Sequence, residues 1–597
     1  MAQGALLRYR LPPVSSFKVV ARSQDLLGQG PHALAAGDTD LVVLRTPGGQ
    51  LRAFEGRCPH RGALLGEGEL HDGVLVCRNH RWRFDVESGR RDGGPECLAA
   101  CPIREEGGNV LVDVTALTEA RDAAILGENA RRVEELPGPP QLPLIGSSHV
   151  LDPDRLHLQL EAWAHEYGTP YAFSIGPQKT VVFSDMNEMA PMFRERPERF
   201  QRGSNLAPVF RELGVEGVFS AEGAAWRPQR RLSMEALSHR HLRGFYPTLA
   251  TVAGRLRARW LRAAERGESL DFAEELKRFT VDVTTQLVFG YDIDTIGKDD
   301  DVIQEKLGLL FPAFNRRLFA VIPTWRILRM PSDRAVDRAV AELREWIGGL
   351  VRASRERLEA DPARAASPAN FLEAMLVARD ERGEPFSDDA IFGNAMTMLL
   401  AGEDTTAYTL AWAVHHLIDA PAEVKALREE LRSVLGTQPV PPDIEVANRL
   451  QYAGAIANEA MRIRPVAPML FFEPTHDAVV AGVALKKGTL AVALIRAPAM
   501  SEKNFAAPNE FKPARWIDGP GEGGAHEAGA HQPFGSGPRI CPGRTLALLE
   551  MKLLLGTLFQ TFDVSRVGDK RDVTEVFSFT MMPRGLNVKL RRRGLAV

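Results

Sequence analysis

Two textures of hydrophobic and polar positions divide the chain. Between about residues 17 and 115, apolar residues come in short β-type runs broken by glycine and charged turns: FKVVAR, DLVVLR, LRAFEG, VLVCRN, RWRFDV and NVLVDV. Such runs at short spacing predict a small all-β module. Residues 116–135, ALTEARDAAILGENARRVEE, lose the alternation and read as a polar, partly helical linker. The proline-rich LPGPPQLPLIG at 136–146 cannot continue a helix. Beyond it the apolar residues fall at three- and four-residue spacing, as from Leu256 to Leu276 and from Ala335 to Leu358, which predicts a mainly helical domain. The division is therefore 15–115 for the β module, 116–135 for the linker and 136–597 for the helical domain.

One predicted helix is unusually long. Ser387 can cap it, and an apolar stretch runs from 388 to 419 before Pro421. Near its middle stand Gly402, Glu403, Asp404, Thr405 and Thr406, poor helix residues inside an apolar pattern, and such a local conflict is expected at a functional site. The stretch 518–531, DGPGEGGAHEAGAH, reads as a flexible loop.

Composition narrows the classes. With 597 residues, 44% hydrophobic and 25% charged, the chain has room for two to four globular domains and is neither collagen-like nor disordered. Lys+Arg at 74 against Asp+Glu at 77 leaves a net charge of −3, so there is no electrostatic case for nucleic acid or an anionic membrane surface. No apolar run of membrane-spanning length and no signal-peptide pattern is found, so no transmembrane segment and a cytoplasmic location are expected. Five cysteines are too few and too odd in number for a disulfide framework, which turns attention to cysteines as metal ligands.

In the β module, Cys58-Pro59-His60 and Cys77-Arg78-Asn79-His80 form a C-x-H … C-x-x-H pattern. Two thiolates and two imidazoles can place two Cys on one iron and two His on the other of a [2Fe-2S] cluster. The same ligand set also suits a structural zinc. With its flanks CPHRGALLGEG and CRNHRWRFDVESG, and with Trp82, Phe84, Asp85 and Gly89, the segment resembles the Rieske ferredoxin family over roughly residues 15 to 115. The resemblance implies a Rieske-type [2Fe-2S] cluster on Cys58, His60, Cys77 and His80. Two departures stand out. Arg81 occupies the place after the second histidine where the family usually has glycine, and Ala63 and Asn79 replace the cysteine pair that braces high-potential members, which points to the low-potential type. Cys97 and Cys101 lie outside the ligand turns and read as ordinary thiols.

Near the C-terminal end, Cys541 stands in the Gly- and Pro-rich loop PFGSGPRICPGR just ahead of the helical TLALLEMKLLLGTLF. A helix N-terminus and free backbone N–H groups favour a thiolate, and glycines let the backbone lie flat against a planar macrocycle. A buried structural cysteine is the plainer reading of the residue alone. The whole segment resembles the F-x-x-G-x-R-x-C-x-G signature of the cytochrome P-450 family, which implies haem b on an axial Cys541 thiolate, with Phe534, Gly535, Arg539 and Gly543 at the cofactor. Further segments are similar to that family in the same chain order. Trp226 and Arg230 match W-x-x-x-R, implied at the haem propionates. Glu459, Arg462 and, within FKPARW, Arg515 match a structural network. Asp404 and Thr405 in AGEDTT match the residues implied in oxygen activation, with a hydroxyl holding water and an acid relaying protons. The likeness spans roughly 136 to 592 and implies a mainly α P-450 fold with small β-sheets. Where many members carry a propionate-binding arginine, this chain has Pro468-Met469-Leu470-Phe471-Phe472-Glu473. Phe471, Phe472, Phe577, Phe579 and Met581 fall in segments that often line the family's pocket, or serve equally as core.

Together the two resemblances imply a haem-thiolate monooxygenase that inserts one oxygen atom from O2 into a hydrophobic organic substrate. Its electrons would come from an external NAD(P)H-dependent flavin reductase through the fused cluster, because no G-x-G-x-x-G stands between a strand and a helix. The β module is weakly charged, with 14 Lys+Arg and 15 Asp+Glu in residues 1–120. A tethered carrier gains effective concentration from its linker and needs less charge steering. Other readings are a peroxide-driven or non-oxidative haem-thiolate enzyme with a regulatory cluster, a redox sensor, and a Rieske non-haem oxygenase with iron on His157, Glu161 and His165.

Overall fold

A computed structural model describes residues 17–594, apart from 27, 38, 116, 118–129, 299–301, 319, 321–322, 380–382 and 518–525. Most of the expected linker, the first residues of the chain and most of the glycine-rich loop at 518–531 lie outside the described residues.

The N-terminal domain is all β. Strands β1 (Phe17–Arg22), β10 (Asn109–Asp113) and β9 (Ile103–Glu106) form one antiparallel sheet, and β2 (His32–Ala36), β3 (Thr39–Arg45), β4 (Leu51–Glu55) and β8 (Ala100–Cys101) form a second. A small third sheet joins β5 (Glu69–His71), β6 (Val74–Val76) and β7 (Arg83–Asp85). Successive side chains of a strand face opposite ways, and β3 uses both faces. Leu41 and Val43 pack with Val110 and Val112, while Val42 and Leu44 pack with Phe54, Phe84, Cys58 and Cys77. The second of these cores anchors the two ligand loops, which leave β4 and β6.

The remainder is mainly helical. Its principal helices are α1 (Leu156–Tyr167), α2 (Met186–Arg194), α3 (Trp226–Ala236), α4 (His239–Arg266), α5 (Phe272–Phe289), α6 (Val302–Leu318), α7 (Pro331–Ala360), α8 (Asp388–Ile418), α9 (Pro421–Leu435), α10 (Gln451–Ile463) and α11 (Arg544–Thr561). Helix α8 is continuous through Gly402–Thr406 and is capped by Ser387, whose Oγ accepts the Ala390 N–H at 3.2 Å. It is apolar on nearly every side and therefore central, packed most extensively on α5. The close approach needs glycine: a Cβ on Gly402 would stand 2.5 Å from Thr284 Oγ1.

A five-stranded mixed sheet, ordered Tyr171–Ile175, Gln178–Phe183, Leu490–Leu494, Met469–Pro474, Phe200–Arg202, flanks the helices. Arg131 and Arg132, inside the segment expected as linker, already form β11, which pairs in parallel with Val483–Ala484. Among the described residues no helix is long and apolar enough to cross a membrane.

Candidate functional site

The ligand loops of the β domain are tight turns closed by backbone hydrogen bonds. Cys58 N–H donates to Ala63 O at 2.8 Å, and Cys77 N–H donates to Trp82 O at 2.7 Å. The turns set the two thiols against each other, with Cys58 bonded to Cys77, so the Cys77 thiol is drawn down to about 7 while Cys58 keeps its proton. The His60 and His80 rings meet edge to face, centroids 4.6 Å apart. Burial first, then the Arg61 guanidinium, lower their pKa to about 4 and 3, so both imidazoles are neutral, the form a metal takes. Buried His60 Nδ1 has no hydrogen-bond partner. Two facing thiols, two neutral imidazoles and a buried nitrogen left free fit a cluster of two irons. Trp82 stacks on His60 at 4.2 Å, with Arg91 3.6 Å above its ring, and covers the site.

Arg81 adopts φ +60°, a conformation open to glycine and costly for other residues, which accounts for the family's preference. Its guanidinium turns aside, donating to Glu69 Oε2 at 2.9 Å. Cys97 and Cys101 are free thiols, the first exposed and the second buried.

Cys541 ends a loop that only glycine can build. Gly535 and Gly537 have φ of +68° and +72°, and a Cβ on Gly537 would come within 2.1 Å of Phe193 O in α2. Cys541 N–H donates to Phe534 O at 3.0 Å, and the N–H groups of Gly543 and Arg544, at the start of α11, point at the sulfur. The thiol is deeply enclosed by the chain, and burial pushes its pKa up, yet the residue still has solvent-sized space beside it. A group of buried cations begins two residues before Cys541 in the same loop. Arg539 sits 4.5 Å over the Trp226 ring, bonds Glu222 and Ala221 O through Nη2, and leaves Nε and Nη1 without partners. Arg196 is fully buried with Nε and Nη2 unpartnered, and burial followed by the charges of Arg202 and Arg539 pulls its pKa well down. Unpaired buried guanidiniums beside an open cysteine fit the carboxylates of a haem. Nothing in the sequence marks Arg196, since one arginine in FRERPERF looks like any other. Glu473, in the segment lacking the usual arginine, instead accepts the Ser204 N–H at 2.8 Å.

Arg230 stands near Cys541, its charge favouring the thiolate, but its N–H groups are taken by the chain. It donates to Ile540 O at 2.7 Å and, from Nε and Nη2, to Glu67 of the β domain at 3.1 and 3.2 Å. This contact belongs to an interface that presses both ligand loops onto the Cys541 loop. Gly537 N–H donates to Arg61 O at 3.0 Å, beside His60, and Arg544 Nη1 donates to Asn79 O at 3.1 Å, beside His80. Arg61 itself lies 3.4 Å from His80 Nε2. Leu64 packs on Val218 and Trp226. At one edge Arg57 and Arg227 face Asp40 and Glu198: Arg57 holds Asp40 at 2.7 and 2.9 Å, Arg227 reaches Asp40 at 2.6 Å and Glu198 at 3.1 Å, and Arg57 also bonds Glu198.

On the α8 side, Thr405 lines a cavity of about 590 Å³ together with Ala401, Thr580, Phe471, Phe577 and Phe579. Phe472 and Met581 instead pack in the core. Thr405 Oγ1 donates to Ala401 O at 2.8 Å, so its lone pairs, not its proton, are free. Asp404 is buried and bonded by Tyr408 and Thr580. Lys277 of α5 stands 3.5 Å from Glu403, 3.9 Å from Asp404 and 3.3 Å from the half-exposed Glu274. Burial raises the pKa of both carboxyls, and one ammonium between them neutralises one charge, so the pair retains a proton.

Glu459, Arg462 and Arg515 come together: Arg462 forks onto Glu459 at 2.9 and 2.9 Å, Arg515 Nε donates to it at 3.1 Å, and Trp516 Nε1 at 2.9 Å. His157 and Glu161 are committed elsewhere, His157 to Glu575 at 3.1 Å and Glu161 to Arg496 at 2.6 Å. With these two side chains bonded to other partners, His157, Glu161 and His165 are not assembled as a triad.

Comparison with known proteins assigns both halves. The Rieske [2Fe-2S] domain family matches residues 16–103, and the cytochrome P450 family matches residues 136–590. Cytochrome P450 97B2, chloroplastic, of Glycine max is 28% identical over 484 residues, covering 73% of this chain and 83% of that protein. The self-sufficient cytochrome P450 monooxygenase CYP505E4 of Penicillium camemberti is 24% identical over 467 residues, 77% of this chain but 43% of that protein. The crystal structure of the cytochrome P450DA heme domain superposes with a TM-score of 0.68 at 26% identity, covering 77% of this chain and 98% of that one.

Proposed function

The chain belongs to the cytochrome P450 family and carries a Rieske [2Fe-2S] domain ahead of the P450 domain, and on that premise we propose that the Rieske domain delivers electrons to the P450 domain across the docked interface, taking them from an external NAD(P)H-dependent flavin reductase. The protein is a monooxygenase acting on a hydrophobic substrate. The observation that carries the electron route is the pair of hydrogen bonds tying the ligand loops to the Cys541 loop, Gly537 N–H to Arg61 O and Arg544 Nη1 to Asn79 O. Bound haem, held by Cys541, would supply O2 activation, and a [2Fe-2S] cluster, held by Cys58, Cys77, His60 and His80, would supply one-electron transfer.

The chain's own residues do the rest. The Gly543 and Arg544 N–H groups would help hold negative charge on the Cys541 sulfur once it binds iron, and Arg539 with Arg196 would hold the carboxylates of the cofactor. Oxygen activation consumes protons, and a chain of groups leads from solvent to the cavity: Glu274 at the surface, Lys277, Asp404, then the Thr580 hydroxyl in the cavity wall. Thr405, its proton spent on Ala401 O, offers acceptor lone pairs that orient a protonated partner in the cavity. The docked Rieske domain covers the Cys541 side, so an external donor meets the Rieske domain rather than the cysteine loop.

Reconstitution of the holoprotein with such a reductase tests the reading. Substrate-dependent consumption of NAD(P)H and O2 is expected. Reduction of the cluster with no reduction of the haem would overturn it.

A further inference from the structure

We propose that the cavity takes a substrate with a hydrophobic body and one carboxylate, and that Arg317, near the C-terminal end of α6, binds that carboxylate. The inference rests on the monooxygenase reading and names the substrate class for it. Arg317 lines the cavity and its side chain is only 1% exposed. Its Nε and Nη2 have no hydrogen-bond partner. These two N–H groups form one edge of the guanidinium fork, the edge that matches both oxygens of a carboxylate.

The acids near Arg317 are already engaged. Asp333, at the start of α7, lies 3.7 Å from Nη2; it is bonded by Arg316 through Oδ1 and accepts the Met330 N–H through Oδ2 at 3.1 Å. Glu212 accepts from Trp325 Nε1 at 2.8 Å and Arg326 Nε at 2.7 Å. Asp337 takes Arg329 at 2.8 and 3.0 Å. Burial pulls the Arg317 pKa down, the mark of a cation that has lost water without gaining full compensation. A buried fork with two unmet donors is costly unless a ligand supplies the acceptors.

The rest of the wall agrees. Among the described residues lining the cavity there are three arginines, Arg202, Arg317 and Arg326, and no carboxylate. Arg202 donates to Phe219 O through Nε at 2.7 Å and half-exposed Arg326 holds Glu212; Arg317 is the one of the three with Nε and Nη2 buried and without a hydrogen bond, Asp333 standing 3.7 Å from Nη2, beyond bonding distance. Phe314, one helical turn before Arg317, also lines the cavity, where it stacks on Phe210 at 4.4 Å and sits 5.8 Å from Phe579. A carboxylate on Arg317 therefore leads its hydrocarbon directly between aromatic rings in the cavity that also contains Thr405 and Thr580.

The test titrates ferric holoprotein with dodecanoate and with dodecan-1-ol, which share the hydrocarbon and differ in the head, and follows the shift of the haem absorption. Dodecanoate is expected to bind about 10- to 100-fold more tightly than the alcohol, the value of a charge-assisted pair. Arg317→Gln should bring the ratio to about one with alcohol affinity unchanged, and Arg317→Lys should keep part of the preference. Equal binding of the two in the unmodified protein, or a preference that survives Arg317→Gln, overturns the proposal. The spectrum of each reduced protein with carbon monoxide keeps the two claims apart: loss of the haem-thiolate band in the unmodified protein defeats the monooxygenase reading itself. If Arg317→Gln fails to take up haem, the unmodified protein and Arg317→Lys decide the matter.

Discussion

Glu198→Gln separates docking from folding. Glu198 lies in the P450 domain, 11% exposed, and closes a ring of two arginines and two acids with Arg57 and Asp40 of the Rieske domain and Arg227 of its own. The ring is neutral. The substitution keeps the shape, leaves the Asp40–Arg57 pair of the Rieske domain intact, and strands one positive charge at the interface. Breaking a buried pair costs about 3–5 kcal/mol, and because Arg227 is a quarter exposed, about 2–3 kcal/mol is the fair expectation. That is a roughly 30- to 150-fold shift toward the undocked form. The reporter is the Gly537 amide, whose acceptor, Arg61 O, lies across the interface. Its hydrogen exchange by way of undocking should quicken by the same factor, while amides in the middle of α8 exchange as before. Unchanged exchange at Gly537, or an equal acceleration throughout the chain, would show that Glu198 does not hold the two domains together.

Three further outcomes are expected. Lys277→Met cuts the link between Glu274 and Asp404, and product formation should fall about 10- to 100-fold with substrate affinity unchanged; full turnover in that variant removes Lys277 from the proton path. Glu550 of α11, fully buried beside Thr406, has its pKa raised by burial to about 8. The folded protein holds this proton while the unfolded chain has lost it, so the contribution falls by about 1.4 kcal/mol per pH unit between roughly 5 and 8. Urea unfolding of Glu550→Gln should lack that slope, and parallel curves for the two proteins would count against it. Glu459→Gln leaves Arg462 and Arg515 without their shared carboxylate and should cost about 3–5 kcal/mol, read as a lower melting midpoint together with reduced haem content.

Much of the site is legible in the sequence because ligand chemistry is local. C-x-H and C-x-x-H put donor atoms on single turns, and the Cys541 loop writes its φ requirements as glycines at 535 and 537. The long helix is readable from its cap and its apolar run. What is not readable lies between elements distant in the chain. Arg230 reads as a haem residue, and its bond to Glu67 of the other domain has no signal in the sequence. The near-neutral charge of the β module conceals a docking face built from balanced pairs, Asp40 with Arg227 and Glu67 with Arg230. Arg196 and Arg317 look like surface cations in sequence; only burial without a partner marks them. Lys277 stands more than a hundred residues before Asp404, and helix packing alone brings them together.

In the proposed route electrons cross within one molecule from the Rieske domain to the P450 domain. The direct measurement is the rate at which haem is reduced, under carbon monoxide and without oxygen, after the cluster has taken one electron. A first-order rate independent of protein concentration is expected, and it should vanish in Cys58→Ala although dithionite still reduces that variant's haem. A rate proportional to protein concentration, or haem reduction in Cys58→Ala as fast as in the unmodified protein, would mean that the electron does not pass through the fused cluster.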